Sequence, residues 1–146
     1  MSQRNDISTM IFGAFDGMIS VLGVVIILLH RNPHQIVGPV LGLAVASTIS
    51  MGAGEWLGGS SLRTALLMCG ATLAGTVVPA LPLFFSTALW TRIVWVAIMI
   101  IVGLWISAER SKKSGWPKAS LQTYGTLITA SVVCAVVAIM LPGSGG

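Results

Sequence analysis

The sequence predicts an all-α polytopic membrane protein: one bundle of five transmembrane helices, with the N-terminus inside and the C-terminus outside. Three observations carry that prediction. The 146 residues are 55% hydrophobic and only 8% charged, with mean hydropathy +0.92, whereas soluble domains carry about 25% charged residues. The apolar residues fall into five runs, each long enough to cross a hydrocarbon layer of roughly 30 Å. The basic residues are divided unevenly between the connecting segments, as in polytopic proteins with a fixed orientation. Residues 1–146 therefore read as a single transmembrane domain with no separate soluble domain.

The spans are expected at about 8–29, 35–57, 65–85, 90–107 and 121–141. The first is an apolar run from Met10 to Leu29 that stops at His30-Arg31-Asn32-Pro33. Gly58-Gly59-Ser60-Ser61 ends the second, and the Pro79-to-Pro82 region marks the close of the third. Lys112 to Pro117 separates the fourth from the fifth, which runs into a Pro142-to-Gly146 tail. Trp56, Trp90, Trp116 and Tyr124 lie near the proposed ends, where amphipathic rings favour the headgroup level. With the N-terminus inside, Arg4, Arg63, Arg110, Lys112, Lys113 and Lys118 are internal, and only Arg31 and Arg92 are external. That imbalance sets the orientation.

Composition also excludes function classes. The formal charge of +4 gathers in one short connection (Arg110, Lys112, Lys113, Lys118), so it reads as a topology signal rather than a nucleic-acid surface. Cys69 and Cys134 sit in apolar segments without CxxC spacing, as buried packing thiols do. His30 and His34 flank Pro33 and read as a solvated turn. The first run is too long for a signal peptide and has no small-x-small cleavage site. There is no nucleophile–base set, phosphate loop or haem-type ligand pair, so no enzyme is expected. The absence of a targeting peptide and the small size point to a bacterial plasma membrane, or to a vacuolar-type membrane in a eukaryote.

Asp16 is the residue that asks for a purpose. A carboxylate inside a membrane helix costs roughly 2.5–3.5 kcal/mol on insertion scales, and such residues face a partner, a cavity or an ion path. It lies eight residues into the first span, roughly 12 Å from the inner face at 1.5 Å per residue. The second helix runs the other way and carries Ser47, Met51 and Glu55 on one i, i+4 stripe. Met51 falls roughly 9 Å from the same face. On the first helix, Gly13, Asp16, Ser20 and Gly23 share a face. If these faces meet, two carboxylates, a thioether and hydroxyls line one crevice, with glycines at 13, 17, 23, 38, 42, 52 and 54 allowing close approach. Carboxylates bind divalent ions and exchange protons, while a thioether tolerates softer transition metals. The set is expected to pass Fe²⁺ or a similar ion in exchange for protons. Met68, Thr72 and Thr76 on the third helix read as bundle packing rather than a pathway wall.

These residues also carry a resemblance. Phe12-Gly-Ala-Phe-Asp16-Gly-Met-Ile-Ser20-Val-Leu-Gly23 resembles the FGxxDG(L/I)xSxxG first-helix motif of the vacuolar iron transporter family. Ser50-Met51-Gly-Ala-Gly54-Glu55-Trp56 is similar to its SMxxGEY second-helix motif, with Trp for Tyr. Ala65 to Pro82 resembles its third-helix segment. The resemblance implies a homodimeric exporter of Fe²⁺, often also Mn²⁺, by proton antiport, with the ion path along the dimer interface. It implies metal-translocating roles for Asp16, Met51 and Glu55. The ion is cargo, and no cofactor is implied. Two departures stand out. Only Gly58 to about Thr64 separates the second and third spans, where many members insert a Glu- and Met-rich metal-collecting domain; short nodulin-like members also lack it. Thr9 stands where the family commonly has an aspartate, and Asp6 is the nearest carboxylate to substitute. An alternative reading follows from those losses: a non-transporting membrane subunit in which Asp16 serves assembly.

Overall fold

The computed structural model describes residues 2–28, 32–86 and 88–140. They form five helices: α1 (Ser2–Leu28), α2 (Pro33–Leu57), α3 (Leu62–Phe85), α4 (Leu89–Ser114) and α5 (Trp116–Met140). All five are long and apolar enough to cross a membrane. His30, Arg31 and the 142–146 tail lie outside the described residues.

Local chemistry sets the helix ends. Pro33 occupies the first turn of α2, where its missing N–H costs nothing. Ser61 caps α3, its hydroxyl accepting from the Thr64 N–H at 3.2 Å. Between α2 and α3, Gly59 takes φ +89°, a conformation that other residues avoid. One residue, Gly115 at φ +81°, breaks α4 from α5.

Three expectations change. The fourth helix runs to Ser114 rather than 107, and the fifth starts at Trp116 rather than 121. Hydropathy marks where the lipid stops, but Ala108, Glu109, Arg110 and Lys112 are good helix formers that continue the coil beyond it. Consequently Arg110 and Lys112 lie on α4, and Lys118 in the first turn of α5. Pro79 and Pro82 do not divide spans but lie within α3, as membrane helices tolerate. Tyr124 sits two turns inside α5, and its hydroxyl donates to the Ile100 carbonyl of α4 at 3.0 Å. It ties two helices together instead of marking an end. Trp56, Trp90 and Trp116 are exposed near helix ends as expected.

Helix α3 is central. It packs most extensively against α1 and then α2, while α4 and α5 pair with each other and touch α1 and α3 less. The core holds Met18, Val21 and Val25 of α1, Ile36 and Val40 of α2, and Leu83 of α3. Outward faces carry large apolar side chains on every helix, including Ile49, Leu66, Ile101 and Ile128. In water such a surface invites aggregation; against acyl chains it is the preferred one. The hydroxyls of α5 are consistent with this setting. Thr123, Thr126, Thr129 and Ser131 each donate to the carbonyl four residues back, at 2.7–2.9 Å, which leaves no unpaired donor towards lipid.

Candidate metal-translocation site

Several glycines let helices come into close contact, though not where two facing helices α1 and α2 would put them. Gly13 and Gly17 bring α1 onto α3. A β-carbon at Gly13 would meet Met68 Sδ at 2.9 Å and Thr72 Oγ1 at 3.0 Å. One at Gly17 would run into the Thr72 carbonyl, with Thr76 N and Oγ1 at 2.8 Å. From the other side, Gly75 of α3 lies against the backbone of Ala14. Met68, Thr72 and Thr76 are accordingly buried packing residues. The Thr76 hydroxyl donates to the Thr72 carbonyl at 2.9 Å, whereas Thr72 Oγ1 is buried without a partner. Gly52 makes the matching contact of α2 with Cys69, whose thiol donates to the Thr48 carbonyl at 3.4 Å. Cys69 is a packing thiol, as its sequence context implies. Cys134 is another, lying against Gly23.

This seam fixes where the polar residues fall. Asp16 is one position before Gly17, about 100° around the helix, and is therefore turned from α3 to the edge of the contact. It is half-buried, as is Ser20. Among the described residues Asp16 has no ion-pair or hydrogen-bond partner. On α2, Ala44, Thr48 and Gly52 mark the packed face. Ser47, Met51 and Glu55 flank it and are all half-buried. Helices α1 and α2 touch each other, and both rest on α3. The two polar edges thus stand on neighbouring helices, at the border between packed and open surface.

The individual groups differ in freedom. The Glu55 carboxylate accepts from the Ser60 hydroxyl at 2.6 Å and so helps close the α2–α3 turn. Ser47 donates to its own helix at the Ala44 carbonyl, 3.3 Å away. Asp6 forms an ion pair with Arg63 at 3.1 Å; its side chain is 15% exposed and that of Arg63 is 71% exposed. The carboxylate nearest the position of Thr9 is thereby neutralised, and it fastens the start of α1 to the start of α3. Exposure of the arginine limits what the pair contributes. Arg63→Gln is expected to shift the melting temperature by less than about 3 °C, checked by thermal denaturation in detergent.

Among the described residues no three His, Cys, Asp or Glu side chains converge to hold a metal ion. Asp6, Asp16 and Glu55 are therefore not one cluster within a chain. Another feature was legible only in hindsight. Gly38, Gly42, Ala46, Ser50 and Gly54 recur every four residues along α2 and all are exposed. A β-carbon at Gly38, Gly42 or Gly54 would meet nothing within 4 Å. The i+4 arithmetic was available from the sequence; the openness of that ridge was not. By helix geometry the stripe of Ser47, Met51 and Glu55 lies directly beside it.

Comparison with known proteins gives one match. Neither a curated protein nor a solved structure matches the chain. Residues 7–64 match the VIT family, so the third-helix segment from Ala65 to Pro82 lies outside the match. The matched stretch contains Asp16, Ser20, Ser47, Met51 and Glu55, and begins one residue after Asp6. Residues 7–64, the part of this membrane protein that carries both polar edges, are similar to the VIT family.

Proposed function

We propose that the protein is a transporter that exports divalent transition-metal ions, Fe²⁺ and also Mn²⁺, from the cytosol in exchange for protons. The observation that carries this reading is the coincidence of the VIT match with the half-buried polar edges of α1 and α2. Asp16 is the central ligand and proton carrier, Met51 the soft ligand and Glu55 the ligand at the mouth. Ser20 and Ser47 supply hydroxyls along the path, and Asp6 lies at its entrance. The N-terminus faces the cytosol by the charge imbalance described above.

The site requires a second copy of the chain. Among the described residues one copy brings no three His, Cys, Asp or Glu side chains together, and its polar stripe on α2 borders an exposed ridge of small residues. Such a ridge lets two membrane helices approach closely. Two copies joined along α2 set two such stripes near one another. Gly42→Leu tests this arrangement, because a β-carbon there meets nothing within 4 Å in its own chain and the residue is exposed. The variant is expected to remain folded and helical but to run as a monomer in size-exclusion chromatography with light scattering. A dimer of undiminished stability would place the interface elsewhere.

Transport is tested in proteoliposomes loaded with a metal-sensitive dye. Fe²⁺ or Mn²⁺ entry should accelerate when a proton gradient is imposed. Absence of flux in correctly inserted dimers would favour the second reading, a non-transporting membrane subunit. The engagement of Asp6 by Arg63 and of Glu55 by Ser60 is what keeps that alternative in view.

A further inference from the structure

The seam between α1 and the α4–α5 pair is hollow at two levels. Where α1 begins and α4 passes into α5, a cavity of about 570 Å³ opens beside Ile11 and Phe15 of α1 and Ile106 of α4. Its rim is charged: Glu109, Arg110 and Lys112 of α4, with Gln122 of α5. Further along lies a second hollow of about 310 Å³, between Leu22 and Ile26 of α1, Met99 of α4 and Leu127 of α5. From Phe15 to Leu22 is seven residues, or roughly 10 Å along the axis. Both hollows are walled by the same three helices.

The rim is built to present positive charge. Arg110 donates to Gln122 Oε1 at 3.0 Å, which holds its guanidinium across the α4–α5 junction. Lys112 donates to both Glu109 oxygens at 2.8 and 2.7 Å, while its own side chain stays 68% exposed. Glu109 offsets one of these cations. Lys118, exposed in the first turn of α5, adds a further charge at the same junction. The excess at this end of the bundle is therefore cationic, and basic pockets between membrane helices suit anionic headgroups.

The two levels together select the ligand. A soluble anion has no use for an apolar hollow one and a half turns or more beyond the rim. A neutral hydrocarbon has no use for the rim. An amphiphile with a negative head and an acyl chain uses both. We propose that this seam binds an anionic phospholipid, its phosphate against Arg110 and Lys112 and one acyl chain laid along α1 towards Leu22 and Leu127. The proposal is independent of metal transport, since none of these residues belongs to the proposed ion path.

The test uses the full chain purified in a neutral detergent and native mass spectrometry, with phosphatidylglycerol, phosphatidylcholine of the same acyl chains, and inorganic phosphate as probes. One phosphatidylglycerol per chain should be retained, with phosphatidylcholine bound at least tenfold more weakly. Arg110→Gln with Lys112→Gln should weaken phosphatidylglycerol roughly tenfold. Glu109→Gln should strengthen it, because Lys112 is released and a repelling charge removed. Ser8→Trp fills the first cavity from an exposed position without changing charge, and should weaken both lipids. Equal binding of the two lipids, displacement of phosphatidylglycerol by millimolar inorganic phosphate, or indifference to Ser8→Trp would each overturn the proposal. So would cross-linking that finds a second copy of the chain seated over Ser8.

Discussion

Asp16→Asn is expected to reduce proton-driven metal flux by at least the roughly 10–100-fold typical of losing a supporting partner of a metal ligand. The change keeps the shape of the side chain but exchanges one acceptor oxygen for an amide donor and removes the negative charge. Among the described residues Asp16 has no internal cation or donor to leave stranded, so folding and assembly should survive. A carboxylate maintained at that depth without a partner needs an external one, and in the proposed function the passing ion is that partner. Asp16→Leu separates the two readings. Under transport it removes flux from an intact dimer; under the assembly role it removes the dimer, as size-exclusion chromatography would report. Unchanged flux in Asp16→Asn would defeat the mechanism.

Gly17→Val is expected to have the largest effect on the fold. The new β-carbon would occupy space held by the Thr72 carbonyl and by Thr76 N and Oγ1 at 2.8 Å. These are mostly backbone atoms of a helix, unable to swing aside as a flexible side chain can. Overpacking of well-filled cores costs typically 1–3 kcal/mol, and more where backbone must move. The measurement is the yield of monodisperse protein and its melting temperature in detergent, with Gly70→Ala as the control. Nothing lies within 4 Å of a β-carbon at Gly70, so that change should be neutral or slightly stabilising through helix propensity.

The fold was legible because lipid writes itself into composition. Five apolar runs appear as five helices, three of their four breaks marked by Asn32-Pro33, Gly58 to Ser61 and Gly115, and the fourth lying beyond Pro82, after Phe85. Their ends were less legible, since hydropathy records the bilayer and not the hydrogen-bond ladder; hence the extra turns at Ala108 to Ser114. The candidate site was half legible. Periodicity placed Ser47, Met51 and Glu55 on one stripe, and the structure puts that stripe at a half-buried edge. It could not tell which neighbour each face meets, because Gly13 and Gly17 carry no side chain whose character names a partner. They meet α3, and the same is true of Gly52. Nor could it foresee that Arg63, an arginine opening a helix, is drawn to Asp6 across two helices.

The glycine contact of α1 with α3 has a mechanical consequence. Where Gly17 and Gly75 bring the two backbones together, each helix is notched into the other. Sliding or rotation would drive a carbonyl into a neighbouring chain, so α1 and α3 form a single stiff strut. Under the proposed transport, any rocking that opens a path first to one side of the membrane and then to the other takes place around that strut. The α4–α5 pair touches α1 and α3 less than α2 touches α3 and is the part left to move. A disulfide or short cross-linker between α1 and α3 should leave turnover intact, whereas one tying α5 to α1 should arrest it.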